Sequence, residues 1–221
     1  MGTIGIKWFR QAAVTSSALT VLCAMLSVVT VLPGPELAPG QILSELRKGG
    51  CVIYLRHAHT DRSRDDAPQP DLKDCATQRM LSHEGEKQAD ELGAAIRELS
   101  VPVGQIYCSP YCRTMETARR ALPGRKATEI AELGRLARMA RDQLPACNAK
   151  LKELLSHQPG PGENTFIVGH SENLAAIGGP AIDEAGWAVF RPGKGGYRLV
   201  GKLDPVQWRE LVRAAKAKTR D

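Results

Sequence analysis

The sequence predicts a three-layer α/β/α domain with a mostly parallel central sheet, helices on both faces and an antiparallel edge hairpin. Three observations carry that reading. Uncharged runs at Cys51–Leu55 and Thr165–Gly169 have the pattern of buried strands, because a strand covered on both faces needs no polar alternation. Amphipathic stretches alternate with them, as in sheets built from right-handed crossovers. Near the C-terminus, two strand-like runs flank a glycine-rich turn, the signal of a hairpin.

Composition sets outer bounds. The chain has 221 residues, 43% hydrophobic and 24% charged, enough for one α/β domain of ordinary size plus a tail. A net charge of +6 suits an anionic ligand. With no Lys/Arg-rich run and little aromatic interleaving, a nucleic-acid partner is not expected.

Residues 1–38 read as a signal peptide or N-terminal membrane anchor with a linker, and residues 39–221 as the folded domain. Lys7 and Arg10 precede an uncharged stretch, Gln11 to Pro35, whose apolar heart is Ala18 to Leu32. That order is the secretory pattern. The run from Val14 to Leu32 also approaches the roughly 20 residues that span a bilayer. No good pair of small residues marks a cleavage site, so a removed signal and a retained anchor both stand. Leu22 before Cys23 argues against lipidation. The expected location is periplasmic or secreted, either free or held at the inner membrane by residues 11–35.

Gln41 to Lys48 forms a short helix closed by Gly49-Gly50. The first strand ends at Arg56-His57, and Thr60 to Arg79 is polar, irregular and long enough to be a functional or covering loop. Ser82 caps a helix reaching Leu99, with Ala89, Leu92, Ala95 or Ile96, and Leu99 as its buried stripe. A strand at Gln105–Cys108 breaks at Ser109-Pro110, and the next helix, about 111–121, carries Arg113 in its first turn. A short strand near 127–130 and a helix near 143–156 follow. Strand 165–169 then ends at His170, and helical residues after it stop at Gly178-Gly179-Pro180. Trp187–Phe190 and Tyr197–Leu203 flank the turn 191–196. Asp204 and Pro205 open a last helix through Trp208, Leu211, Val212 and Ala215.

In open α/β sheets, ligands sit beyond the carboxyl ends of the strands. Three strands thus deliver Arg56 and His57, Arg113, and His170 to one edge. Guanidiniums present forked donors that match phosphate oxygens two at a time. A neutral imidazole is a competent nucleophile, and a second one can donate to a nearby dianion. The start of the Arg113 helix would add backbone N–H donors. Singly, each residue has a structural reading, a satisfied histidine or a solvated arginine. Together they suit a tetrahedral phosphoryl centre and its attack. A zinc site from His57, His59 and His170 lacks convincing acidic or cysteine ligands, and Cys112 lacks the phosphate loop of a cysteine phosphatase.

Four motifs in order carry a family resemblance. Leu55-Arg56-His57-Ala58, Leu81-Ser82-His83-Glu84-Gly85-Glu86-Lys87-Gln88-Ala89, Ser109-Pro110-Tyr111-Cys112-Arg113-Thr114-Met115-Glu116-Thr117-Ala118 and Val168-Gly169-His170-Ser171 resemble the signatures of the histidine phosphatase superfamily, the phosphoglycerate-mutase-like fold. The likeness covers about residues 41 to 205. The stretch from Gly169 to Pro192 is similar to exported bacterial members such as lipopolysaccharide core heptose phosphatases. The resemblance implies a metal-independent phosphomonoesterase without a cofactor, acting on a small phosphorylated substrate. His57 would become phosphohistidine, and Arg56, Arg113 and His170 would hold the phosphoryl oxygens. Ala58 stands where relatives have glycine, which requires only that the backbone there avoid positive φ. For the general acid the resemblance points to Glu132, with Glu172 as a second candidate; Arg79, Glu172 and Asn173 are candidate substrate-binding residues. A phospho-ligand binding module is the alternative function, and a mutase would need a phosphorylated donor and a site closed to water.

Five cysteines follow the N-terminal segment: Cys51, Cys75, Cys108, Cys112 and Cys147. Cys51 and Cys108 lie on buried strands as small core residues. Cys75 and Cys112 flank the site and are the pair expected to form a disulfide under export, with Cys147 as an alternative partner.

Overall fold

The structure, a computed structural model, describes residues 1–2 and 36–218. The chain divides into two compact units, Met1–Val31 and Leu32–Asp221, and the expected export segment lies outside the described residues. Among the described residues, no helix is long and apolar enough to cross a membrane.

The second unit runs α1 (Pro39–Lys48), β1 (Val52–Arg56), α2 (His83–Glu98), β2 (Val103–Cys108), α3 (Cys112–Ala121), β3 (Thr128–Glu129), α4 (Leu144–Ser156), β4 (Asn164–Gly169), α5 (Ser171–Ala176), β5 (Trp187–Gly193), β6 (Gly196–Leu203) and α6 (Pro205–Lys218). The strands form one sheet in the order β3-β2-β4-β1-β5-β6. The first four are parallel, and β5 joins β1 antiparallel before turning back as β6. The α/β sheet with an antiparallel edge hairpin is therefore the architecture observed.

Strand side chains alternate between two cores. Ile53 and Leu55 of β1 pack with apolar residues of α1, α2, α3 and α6. Val52 and Tyr54 turn the other way, toward Leu151, Leu154 and Leu155 of α4 and Leu174 of α5. Both faces are covered, which is why the run carries no polar alternation. Ser82 caps α2 as expected, accepting from the Gly85 amide at 3.0 Å.

Two boundaries differ from the sequence reading. The first helix, expected from Gln41, begins at Pro39, where a missing proline N–H costs nothing. The hairpin strands run through Arg191–Gly193 and Gly196, leaving Lys194-Gly195 as the turn. Pro192 is tolerated because β1 pairs only with Trp187–Phe190, so its absent N–H falls beyond the doubly paired stretch.

Register is what builds the site. β2, β4 and β1 are adjacent and parallel, with Cys108 opposite Val168 and Arg56 opposite Gly169. Their carboxyl ends therefore finish level. Gly169 is required there: a Cβ would collide with the Tyr54 hydroxyl, which donates to the His170 carbonyl at 2.8 Å. Across the other side of β1, Ala185 takes a left-handed conformation, φ 60°. Its N–H reaches the carbonyls of both Arg56 and His57 at 3.2 and 3.1 Å.

Candidate active site

His57 leaves β1 with its N–H donated to the Gly169 carbonyl at 3.1 Å. Its ring is 4% exposed, and Nδ1 lies 2.9 Å from the Ala58 carbonyl. A carbonyl only accepts, so Nδ1 carries the proton and Nε2 keeps its lone pair. Ala58 is absent from the positive-φ residues among those described, so its side chain brings no strain. Its amide donates to Thr117 Oγ1 at 3.1 Å, and that hydroxyl donates to the Arg113 carbonyl at 2.7 Å. The first strand's exit and α3 are thereby locked together.

His170 caps α5 beside it, the two ring centroids 5.4 Å apart and edge to face. Ser109 Oγ is 2.9 Å from His170 Nε2 and accepts from the Tyr111 amide at 3.4 Å. The serine thereby fixes the orientation of the His170 ring, with the direction of donation set by the imidazole tautomer. Ser109→Ala is expected to free this ring and lower kcat about tenfold with KM little changed; a steady-state kinetic comparison checks it.

Burial dominates the electrostatics. It pushes the His57 imidazole down to about 3, with the charges of Arg113, Arg56 and Arg79 adding and the Ala58 hydrogen bond opposing. His170 is driven well below its ordinary value by burial, then by His57, Arg113, Arg135 and Arg56. Both rings are neutral at physiological pH.

The guanidiniums surround them. Arg56 donates through Nη1 to the Ile182 carbonyl at 3.1 Å and sits 3.6 Å from Glu184. Arg113 is fully buried, its guanidinium over the Tyr111 ring at 4.7 Å, and is bound by the equally buried Asp66. Arg79 pairs with Asp65 at 3.3 Å. Arg135 bridges Asp66 at 3.1 Å and Glu172 at 3.2 Å. Among the described residues, the Nε atoms of Arg56, Arg79 and Arg113 are buried without a hydrogen-bond partner. Buried donors are rarely left unpaired, and a guanidinium edge is a donor suited to an oxyanion.

Loop 60–79 is a folded cover rather than loose chain. Arg64 holds the Gln78 carbonyl at 2.9 Å, the Gln78 amide group holds the Asp71 carbonyl at 2.9 Å, and a short turn spans Cys75–Thr77. The Cys75–Cys112 disulfide fastens this loop to the first residue of α3. Cys51, Cys108 and Cys147 are free and buried.

Four sequence expectations meet a different geometry. The start of α3 has few amides to offer an anion, because Gln78 Oε1 takes the Cys112 N–H at 2.9 Å and the Tyr111 carbonyl takes those of Thr114 and Met115. Buried amides find the nearest acceptor, and here the protein supplies it. Asn173 spends both ends of its amide on the chain, donating to the Gly134 carbonyl at 2.9 Å and accepting from the His170 N–H at 3.3 Å. It braces the wall of the site. Glu172 is held by Arg135. Glu132 lies in a short turn whose charge acts on Cys147 and Lys150 of α4, and the charges that act on His57 are arginines. His59, in turn, points its Nδ1 at Ser82 Oγ, 2.8 Å away.

Residues 52–157 match the family model described as histidine phosphatase superfamily, branch 1. By this match the segment is similar to the histidine phosphatase superfamily. Solved structures share the histidine phosphatase fold. Phosphoserine phosphatase from Entamoeba histolytica, in complex with 3-phosphoglyceric acid, is 13% identical with a TM-score of 0.52, covering 72% of this chain and 98% of its own. Alpha-ribazole phosphatase from Shigella flexneri is 18% identical with a TM-score of 0.49, covering 67% and 94%. The protein histidine phosphatase SixA complexed with tungstate is 13% identical with a TM-score of 0.49, covering 71% and 97%. No curated protein matches this chain by sequence.

Asp66, Arg135, Ser109, Tyr111 and Glu184 were not legible as site residues. Only Asp66 had a signal available: several buried arginines at one sheet edge require a counter-charge, and loop 60–79 is rich in aspartate.

Proposed function

We propose that the chain is a metal-independent phosphomonoesterase that works outside the cytoplasm through a phosphohistidine on His57. The observation that supports this most is the free Nε2 lone pair of a buried neutral imidazole, set among guanidiniums whose Nε donors have no protein partner. In the first step Nε2 forms a bond to phosphorus, and the ester P–O bond breaks with its electron pair passing to the leaving oxygen. In the second, a water oxygen attacks the phosphorus. The P–N pair returns to Nε2 and orthophosphate departs. Arg56, Arg113 and His170 hold the equatorial oxygens, the role a metal ion fills elsewhere.

The leaving group receives little help. Glu172 and Glu184 both face guanidiniums, and the charge of Glu132 acts on Lys150 of α4. Leaving groups that are already acidic are therefore favoured. 4-Nitrophenyl phosphate should turn over at least about 100-fold faster than glycerol 3-phosphate, the usual worth of a general acid, and chelator should leave the rate unchanged. A screen that includes sugar phosphates and phosphohistidine peptides extends the comparison.

Export is supported by the basic and apolar order of the N-terminal segment and by the Cys75–Cys112 disulfide, a bond typical of oxidising compartments. Cell fractionation of the tagged chain tests it. For the chemistry, rapid quench with 32P-labelled substrate should trap an acid-labile label on the wild type and none on His57→Ala. A protein that binds phosphate but never labels or hydrolyses any ester would instead be a phospho-ligand binding module.

A further inference from the structure

The phosphate-facing arginine of this site is not free-standing. Arg113 has five N–H donors, and three of them are committed to the protein. Nη1 donates to Asp66 Oδ1 at 2.9 Å and to the Arg79 carbonyl at 3.2 Å, and Nη2 donates to Asp66 Oδ2 at 3.3 Å. Asp66 thus grips the end of the guanidinium. What remains is one edge, made of the Nε–H and the outer N–H of Nη2, and that Nε is buried without a partner.

We propose that Asp66 is a positioning residue for phosphoryl transfer, which holds the far edge of Arg113 so that the Nε–Nη2 edge alone is presented to the phosphoryl oxygens. The proposal deepens the reading of the site given above and rests on it.

Asp66 itself leaves no acceptor to spare. Oδ1 also takes the Arg79 amide at 2.9 Å, and Oδ2 also takes Arg135 Nη1 at 3.1 Å. Burial would raise this carboxyl, but the Arg79 amide, Arg113 and Arg135 outweigh it and hold it below the usual carboxylate range. One fixed anion therefore orients Arg113, tethers Arg135 and pins the backbone at Arg79. The opposite possibility is that Asp66 plugs the site and a phosphate must evict it. The free edge argues against this, since a bidentate oxyanion needs only the Nε–H and one N–H of Nη2, neither of which Asp66 takes.

The two ideas predict opposite results for Asp66→Asn, which keeps the shape and removes the charge. With the full chain, kcat should fall about 100-fold, the cost of a misplaced group in a site of this kind. Orthovanadate, which resembles the transition state, should lose about 100-fold in affinity and inorganic phosphate about tenfold. In an Arg113→Gln background, Asp66→Asn should cost under about threefold more, because the carboxylate acts through that arginine. A bystander role in folding would not produce this non-additivity. Asp66→Glu, which retains the charge but moves it by a methylene, serves if the asparagine variant unfolds, with an expected kcat loss of about tenfold.

Unchanged kcat, tighter phosphate binding, or a full second loss in the Arg113→Gln background would overturn the proposal. If the wild type neither hydrolyses esters nor labels His57, the phosphatase reading fails by itself. Calorimetric phosphate binding then decides for Asp66: tenfold weaker binding in the variant upholds it, and equal or tighter binding ends it.

Discussion

His57→Ala is expected to lower kcat by at least about 10⁴-fold, as loss of a covalent nucleophile does, and to abolish the acid-labile phosphoryl label. Among the described residues, His170 Nε2 is engaged with the Ser109 hydroxyl, and the free cysteines are buried. The same variant has a second, independent signature. In the folded wild type, burial holds the His57 imidazole down to about 3, whereas in the unfolded chain a histidine titrates near about 6.5. Between those values the unfolded state binds more protons, so stability is complete above about 6.5 and is lost as pH falls toward 3. Between pH 7 and 4.5 this group should cost the wild type about 2–3 kcal/mol that the alanine variant does not lose. Urea unfolding at the two pH values measures the difference. His170, held low for the same reason, keeps a slope in both proteins. Equal slopes would show that the His57 ring is not buried neutral.

Breaking the Cys75–Cys112 bond, in a Cys75→Ser/Cys112→Ser double variant, should destabilise the domain by about 4 kcal/mol. The bond joins residues 37 apart in sequence, and closing a loop of that length removes about that much chain entropy from the unfolded state. The melting temperature should drop by roughly 10 °C. Activity should suffer too, since the bond anchors the loop bearing Asp66 and Arg79 to the helix bearing Arg113. Calorimetry and turnover with and without reductant test both effects. A double variant as stable as the wild type would mean that the hydrogen bonds of loop 60–79 suffice to hold it.

Much of the fold was legible in the sequence because it rests on local signals. The uncharged runs marked β1 and β4, Ser82 marked the start of α2, and Gly178-Gly179-Pro180 marked the chain's departure from α5. The boundaries that moved, at Pro39 and at the hairpin, are places where pairing partners decide whether proline is tolerated. The site was half legible. Arg56, His57, Arg113 and His170 could be placed because each sits within a few residues of a strand end, where topology alone fixes position. Asn173 and Glu132 could not: Asn173 donates to a carbonyl 39 positions away, and the charge of Glu132 acts on α4.

By itself the sequence determined which strands are buried, which residues terminate them, and that two imidazoles and two guanidiniums share one edge of a sheet. These follow from periodicity and caps, which act over a few neighbouring residues. The tertiary structure alone decided how that edge is wired: Asp66 on Arg113 across 47 positions, Ser109 on His170 across 61, and Arg135 between Asp66 and Glu172. Buried charges and donors must find partners wherever the chain brings them, and a partner dozens of residues away leaves no local trace in the sequence.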